Sequence, residues 1–469
     1  FLTQLSVDGS AIWTKFASGF ANDIGMGTAS IHGENGIYWA GGFISNVLDI
    51  DDYTLSNPTG VDGFICKLNE HGVISWMTQI EGSGSTSLRK IASSENSVIG
   101  VGSFSLGTIS LNSDLYTSEG LNDIFIFSLD TSGNYNWAKT FGTTWDENIS
   151  SVCTSIDNTI YVSGKFEGDS INIDGQTLYG QGSKTAFIAA FEENGTLKWT
   201  SSYTGTDNVQ IHSISVGPSN HIIAGGDFMC DTLFTTNDTL INGAAISGWL
   251  IELDEFGNEI WTETIGFETS VSVNSVILDI DDSLTVAGVF NDSVYLNAEW
   301  YYSQGSKDLF IFSLDIEDKL IGYSNTYGGD HFESCKDLAT DQVGNVYFIA
   351  EYFSESWNID SYTPTTNFGG YEYFVARFGS TPGSSIKESP NESKLTIYPN
   401  PFSDILLLKG VVTEDMSITL YDSRGNLIRN EKLTGQANHI LNTATLSSGI
   451  YFITVCADGA CRTQKLLKR

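Results

Sequence analysis

Apolar and polar residues alternate along most of the chain in short runs punctuated by Gly, Asn, Asp and Ser. That period-two pattern is the signature of half-buried β-strands. The pattern repeats. "FLTQLSVDGSAIW" starts at Phe1, "FICKLNEHGVISW" at Phe64 and "FIFSLDTSGNYNW" at Phe125, followed by "FIAAFEENGTLKW" at Phe187 and "WLIELDEFGNEIW" at Trp249. Each carries a Gly in its middle and ends on Trp13, Trp76, Trp137, Trp199 or Trp261. A sixth copy at Phe310 has Asp318 and Gly322 at the Gly and Trp positions, and a seventh start, "FVARF" at Phe374, stops after one strand. The starts are spaced 63, 61, 62, 62, 61 and 64 residues apart. A second signal keeps the same period. Six segments end in Phe43, Phe104, Phe166, Phe228, Phe290 and Phe353, and five of them have Gly two residues earlier.

Each repeat therefore predicts four strands, of the types "SSVCTSID", "TIYVSGKF", "AFIAAFEE" and "LKWTSSY". One such meander cannot bury both of its faces. Several stacked radially can, so the predicted architecture is all-β, a β-propeller. The surplus length falls between the second and third strands, as in Glu167–Thr185. It is expected to project from the body and diversify the surface. Six complete first pairs predict six blades, with "FVARF" as third strand of the last and "AIWTKF" (Ala11–Phe16) closing the ring as its fourth. "FLTQL" (Phe1–Leu5) also reads as a third strand, which makes seven blades the alternative.

The pattern changes after residue 378. "GSTPGSSIKESPNES" (379–393) has the composition of a flexible linker. Beyond it lie "LTIYPNPFSD", the hairpin-like "ITLYDSRGNLIRNEKL" (Ile418–Leu433), "ATLSSGIYFITV" (Ala444–Val455) and a last strand ending in "QKLLKR". Residues 394–469 thus predict a small β-sandwich. The division is propeller 1–378, linker 379–393 and sandwich 394–469.

At 469 residues the chain exceeds a single ordinary core. Its charge changes the picture more: 22 Lys+Arg against 57 Asp+Glu give a formal −35. Phosphate binding needs a basic surface, so nucleic acid is excluded as a partner class, and anionic membranes are disfavoured. No apolar run reaches the length of a membrane span. Four of the six Cys are scattered through the repeats. Cys456 and Cys461 flank a hairpin turn in "VCADGACR", either as a cross-strand disulfide or as two free thiols.

The repeats resemble a bacterial β-propeller family of the type D-x-F-(V/I)-x-x-L-x-x-x-G-x-x-x-W, found in secreted and surface proteins; "NDIFIFSLDTSGNYNWAKTFG" (Asn122–Gly142) matches well. The tail resembles the C-terminal sorting domain of proteins exported by the type IX secretion system of Bacteroidota. Three landmarks carry this: "YPNP" (Tyr398, Pro399, Asn400, Pro401), "LYDSRGNLI" with Gly425, and "LSSGIYFITV" with Gly449 and Tyr451; Lys465 and Lys468 close the terminal strand. The resemblance implies a cleaved signal peptide and passage through the outer-membrane translocon. It implies recognition of the tail by a shuttle barrel and, in many members, removal of the tail by a surface sortase. The implied location is extracellular or at the cell surface, in association with the outer membrane.

The remaining candidates are sparse. The Gly-x-x-x-Trp element is shared with quinoprotein dehydrogenases, but their adjacent Cys pair is missing, so the Trp residues read as packing between blades. No His spacing suits a metal, and no nucleophile elbow or P-loop occurs. "LDIDDY" (Asp49, Asp51, Asp52) and "LDIDDS" (Asp279, Asp281, Asp282) are oxygen-rich clusters of the kind that hold calcium, or solvated turns. Asp-Ser/Thr-apolar triplets at Ser170, Thr232, Thr239, Ser283 and Ser293 resemble the O-glycosylation motif of exported Bacteroidota proteins. No catalytic residue is assigned. Three functions are expected to compete: a surface propeller binding protein or glycan, an accessory subunit of an outer-membrane complex held by an uncleaved tail, and a polysaccharide-acting enzyme.

Overall fold

In the computed structural model the alternating runs pair as antiparallel meanders. The structure describes residues 1–378 apart from 7–8, 22, 32–35, 58–59, 182–183, 244, 267–268, 298, 318, 320, 342–343, 355–358 and 360–371. From 396 onward it describes all but 399–401, 404, 410–415, 423–426, 434–437, 458–459 and 469. The linker 379–393 lies outside the described residues. The chain forms two compact units, Phe1–Gly379 and Ser380–Arg469.

The first unit is the propeller. Five blades have four strands each, in sequence order from the axis outward, and the hairpin Thr232–Phe234/Thr239–Ile241 extends the third blade's sheet to six strands. Blade one is Ile24–Ser30, Gly36–Phe43, Asp62–Asn69 and Ile74–Ile80. Blades two to five begin with Ser85–Ser93, Glu147–Thr154, Val209–Val216 and Val271–Leu278. Blade six has three strands, Glu333–Thr340, Val346–Tyr352 and Glu372–Phe378. First strands of consecutive blades pack on one another, which makes them the inner ring. An ion pair links Lys90 on the innermost strand of blade two to Asp337 on that of blade six, two blades that are not neighbours in sequence.

The expected closure does not form. Ala11–Lys15 pairs with Leu2–Leu5 in a separate two-stranded sheet rather than adding a fourth strand to blade six. The reason lies in the next joint. Trp13 of this hairpin docks on Gly72 of blade one and donates its indole N–H to the Glu70 carbonyl (3.0 Å). The hairpin therefore takes the outer half of a blade position ahead of blade one.

The same docking recurs around the propeller. Trp76 sits on Gly133 and bonds the Thr131 carbonyl (3.0 Å). Trp137 sits on Gly195 and bonds Glu193 (2.8 Å), and Trp199 sits on Gly257 and bonds Glu255 (3.0 Å). Each glycine has a left-handed φ, from +73° to +87°, and a methyl group there would stand 2.7–2.8 Å from the indole. The turn needs the conformation and the ring needs the space, and only Gly supplies both. At the sixth copy the joint changes. Lys319 takes the left-handed position, with φ 57°, and its ammonium lies 5.2 Å from the ring centre of Trp261, whose indole N–H is buried without an acceptor among the described residues. The turn is one residue longer, so Tyr323 and not Gly322 takes the Trp position: Ser313 pairs with Tyr323 as Ser128 pairs with Trp137. Asp318 lies outside the described residues.

The recurring Gly before Phe also has a cause. Each innermost strand carries one bulge, and the extra residues are Met26, Arg89, Ser150, His212, Asn274 and Lys336. The bulge presses a carbonyl of the inner strand onto the second strand. A Cβ on Gly164, Gly226 or Gly288 would stand 2.4, 1.9 or 2.1 Å from the carbonyl oxygen of Asn148, Gln210 or Ser272.

The surplus segments are β-hairpins. They are Val47–Ile50/Tyr53–Ser56, Thr108–Leu111/Asp114–Thr117, Ser170–Ile173/Gln176–Tyr179, Thr232–Phe234/Thr239–Ile241 and Ser293–Leu296/Glu299–Tyr302. One face of each is buried, through Leu48 and Ile50, Ile109 and Leu111, Ile171 and Ile173, Leu233 and Leu240, or Val294 and Leu296. Several clip onto the preceding blade: the Ser110 N–H bonds the Glu81 carbonyl (2.9 Å), and Leu233 pairs with Gly205.

The second unit is a sandwich. One sheet holds Thr396–Tyr398, Ile405–Lys409 and Asn438–Asn442. The other holds Leu427–Leu433, Met416–Asp422, Gly449–Ala457 and Ala460–Lys468. Leu406, Leu408, Ile418, Leu420, Ile453 and Leu466 form its core.

Candidate functional sites

The sandwich brings the residues after the first landmark together with the third landmark and the terminal strand. Phe402, just after "YPNP", is buried against Tyr451 with ring centres 6.1 Å apart and edge to face. Lys468 of the last strand is buried beside them, its ammonium 5.6 Å from the Phe402 ring centre and donating to the Ser403 carbonyl. Thr443 donates to the same carbonyl (3.1 Å), and the Tyr451 hydroxyl donates to the Ser447 carbonyl (2.9 Å). A cation–π contact and shared hydrogen bonds thus tie Phe402 and Ser403, which follow the first motif, to the terminal strand, and ring packing ties Phe402 to Tyr451 of the third. Tyr398 closes its strand opposite Leu407, Gly449 pairs with Lys468, and Lys465 pairs with Phe452. Pro399, Asn400, Pro401 and Gly425 lie outside the described residues. Cys456 and Cys461 are direct partners across the last two strands.

The acidic clusters are turns. Asp51 occupies the left-handed position of the first hairpin turn and pairs with Lys15 (2.6 Å), while Asp49 accepts from the Thr54 hydroxyl (2.8 Å). Asp52 is exposed beside them. Asp279 accepts the N–H groups of Asp281 and Ser283 (2.8 and 2.9 Å), and Asp282 is left-handed. Among the described residues no three His, Cys, Asp or Glu side chains converge as a metal site.

The Asp-Ser/Thr-apolar triplets have a place in the repeat. Ser170, Thr232 and Ser293 are each the first residue of an inserted hairpin, and the apolar residue that follows is its buried anchor. Thr239 is exposed on the fourth hairpin, Ser283 opens the second strand of blade five, and Ser293 is buried.

Sequence reasoning missed the polar ladder between blades. The residue before the recurring Phe reaches the second residue of the next innermost strand. Lys165 donates to Gln210 (2.6 Å), and Ser272 donates to Asp227 (2.6 Å). His212, a bulge residue, joins Asp227 through Nε2 (2.8 Å). Burial alone would raise the Asp227 carboxyl, but hydrogen bonds and charge from His212, with Ser272 and Lys165, outweigh it and hold it below the usual carboxylate range. The serine hydroxyl lies on the carboxylate and not on the imidazole, so this trio lacks the nucleophile–base contact of acyl-transfer chemistry. His221 Nδ1 pairs with the buried Glu252. Cys66, Cys153, Cys230 and Cys335 are unpaired, and burial raises all four thiols, those of Cys66 and Cys335 to about 12. Such thiols are inert packing groups.

Residues 396–469 match the secretion system C-terminal sorting domain. An uncharacterized WD repeat-containing protein of Acanthamoeba polyphaga mimivirus is 21% identical over 89% of this chain, and the chain spans about a third (35%) of that relative's length. Among solved structures, a Synechocystis apocarotenoid oxygenase variant aligns over 92% of this chain and 96% of its own (11% identity, TM-score 0.34). A family 32 glycoside hydrolase from Bifidobacterium adolescentis aligns over 95% and 76% (7% identity, TM-score 0.23). At those scores nothing carries over from either protein. The sorting domain marks proteins exported by the type IX system to the cell surface or extracellular space, and it implies a bacterial origin and contact with the secretion machinery. Among the described residues no helix is long and apolar enough to cross a membrane.

Proposed function

We propose, from the premise that residues 396–469 are a type IX sorting domain, that this chain is exported cargo whose propeller works by binding a surface protein or glycan. The match over those residues carries the export half of the reading. The Phe402–Tyr451–Lys468 cluster supports it, because residues at or beside two of the tail's landmarks pack together with its terminal strand. The shuttle barrel and translocon are its partners in transit, and a surface sortase acts on the tail. Calcium in the acidic turns is an optional stabiliser.

The binding half is supported by the hairpins. Their inner faces repeat the same apolar anchors from blade to blade, while their outer faces vary. Constant framework beneath variable display is the arrangement of a recognition surface.

The test is deletion of residues 396–469 in the native host, followed by fractionation. The complete chain is expected at the surface or in the medium and the truncated one in the periplasm. Equal export of both overturns the reading. A complete, uncleaved chain that stays stoichiometric with a barrel protein through purification favours the accessory subunit.

A further inference from the structure

The hairpins occupy equivalent places in five blades, so each serves as a control for the others. At the central cross-strand pair of the outer face, blade one has Asp49 and Thr54, blade two Ser110 and Leu115, blade three Asn172 and Thr177, and blade four Phe234 and Thr239. Blade five has Tyr295 opposite Trp300, with Tyr302 next on the same face. The hairpin itself does not call for aromatics here, since Asn172 and Thr177 close the same structure.

These rings are open to solvent. Tyr295 is 52% exposed, Trp300 49% and Tyr302 70%. Tyr295 and Trp300 lie with ring centres 5.2 Å apart, inclined at 52°. None of the three side chains has a hydrogen-bond partner among the described residues, so two phenols and an indole N–H remain available at the rim. The hairpin beneath is rigidly seated: Val294 and Leu296 are buried in the blade-five core, and the Tyr301 hydroxyl reaches Ser324 (3.3 Å) on the outer strand of the blade.

We infer that Tyr295, Trp300 and Tyr302 form a stacking platform for the pyranose rings of a neutral polysaccharide. This names the ligand class within the binding role proposed above and rests on that reading. The C–H face of a pyranose is apolar and weakly electropositive, and it matches the electron-rich face of Tyr and Trp. The hydroxyls around the sugar ring need hydrogen-bonding partners, which the two phenols and the indole N–H offer, with exposed Asp292 and Asn297 just outside the first strand of the hairpin. The formal charge of −35 repels uronic-acid and sulfated polymers and leaves neutral ones.

The test uses the full chain in native gels cast with soluble glucan, xylan or galactomannan. The comparison is a double variant, Tyr295→Asn with Trp300→Thr, which installs the blade-three pair. Retardation by at least one neutral polysaccharide is expected, with at least a tenfold weaker apparent affinity in the double variant at unchanged melting temperature. Retardation equal in both chains overturns the platform, as does none on the whole panel. So does a variant that melts earlier but binds equally, since the aromatics are then only a cross-strand brace. The fractionation experiment reads export separately, so a negative gel leaves that reading standing.

Discussion

Glu147 opens blade three and is fully buried. Its carboxylate accepts the N–H (2.8 Å) and hydroxyl (2.6 Å) of Thr143, bridging the chain from one blade to the next. Burial, with smaller contributions from the nearby Asp123 and Asp146 carboxylates, outweighs those bonds and pushes it up to about 7. A carboxyl raised in the folded state holds a proton that the unfolded chain has lost. Its stabilising contribution is full below the ordinary carboxyl range, near pH 4, and is lost as pH rises through about 7. Burial raises Asp62, Asp123, Asp308 and Glu333 in the same direction. Glu147→Gln keeps an acceptor for Thr143 and removes the titration. Urea unfolding of the variant is expected to flatten between pH 5 and 8, with a gain at pH 8 of at most about 3 kcal/mol. An unchanged slope refutes the assignment. The Asp of the D-x-F motif was visible as a repeat, but its work was not. Asp62, Asp123 and Asp308 gather loop N–H groups of Gly82, Glu119 and Gln304, contacts that no spacing along the chain announces.

At the scale of elements, the joint between blades is a Trp on a Gly. Gly195→Ala puts a methyl group 2.7 Å from the Trp137 indole at φ +84°, and is expected to cost about 2–3 kcal/mol. Gly322→Ala meets only the Ser313 hydroxyl, at 3.2 Å, and serves as the near-neutral control; urea midpoints of the two variants decide. The strands, the repeat and the Trp packing were legible because period-two alternation and fixed spacing are local properties of the chain. That the surplus segments are strands went unread, although "SINI" in the third alternates strictly, because short Thr- and Asn-rich strands carry little apolar signal. The inner bulges had a sequence trace in the Gly two residues before Phe, but its meaning depends on a carbonyl from a neighbouring strand. The closure by Ala11–Phe16 failed because a hairpin partner five residues away in sequence competes with an edge more than 350 residues away. The aromatic platform was hidden for a simpler reason: only alignment by structure places Tyr295 and Trp300 against Asn172 and Thr177.

At the scale of the molecule, two compact units share one chain. A chain ending at Gly379 is expected to keep the main unfolding transition of the whole protein. Its loss on truncation, read by calorimetry, would mean that the units fold as one. The propeller's own joints have a direction. Each of the four indoles docked on a glycine reaches forward, from Trp13 to Glu70, from Trp76 to Thr131, from Trp137 to Glu193 and from Trp199 to Glu255. Each lock closes on a stretch that follows some 55 to 57 residues later. A polypeptide emerging from a narrow pore with its N-terminus leading presents each ring before its socket, always after the same short delay. Such a protein can lock each docked joint in order of arrival, leaving contacts such as that of Lys90 with Asp337 to the last blade.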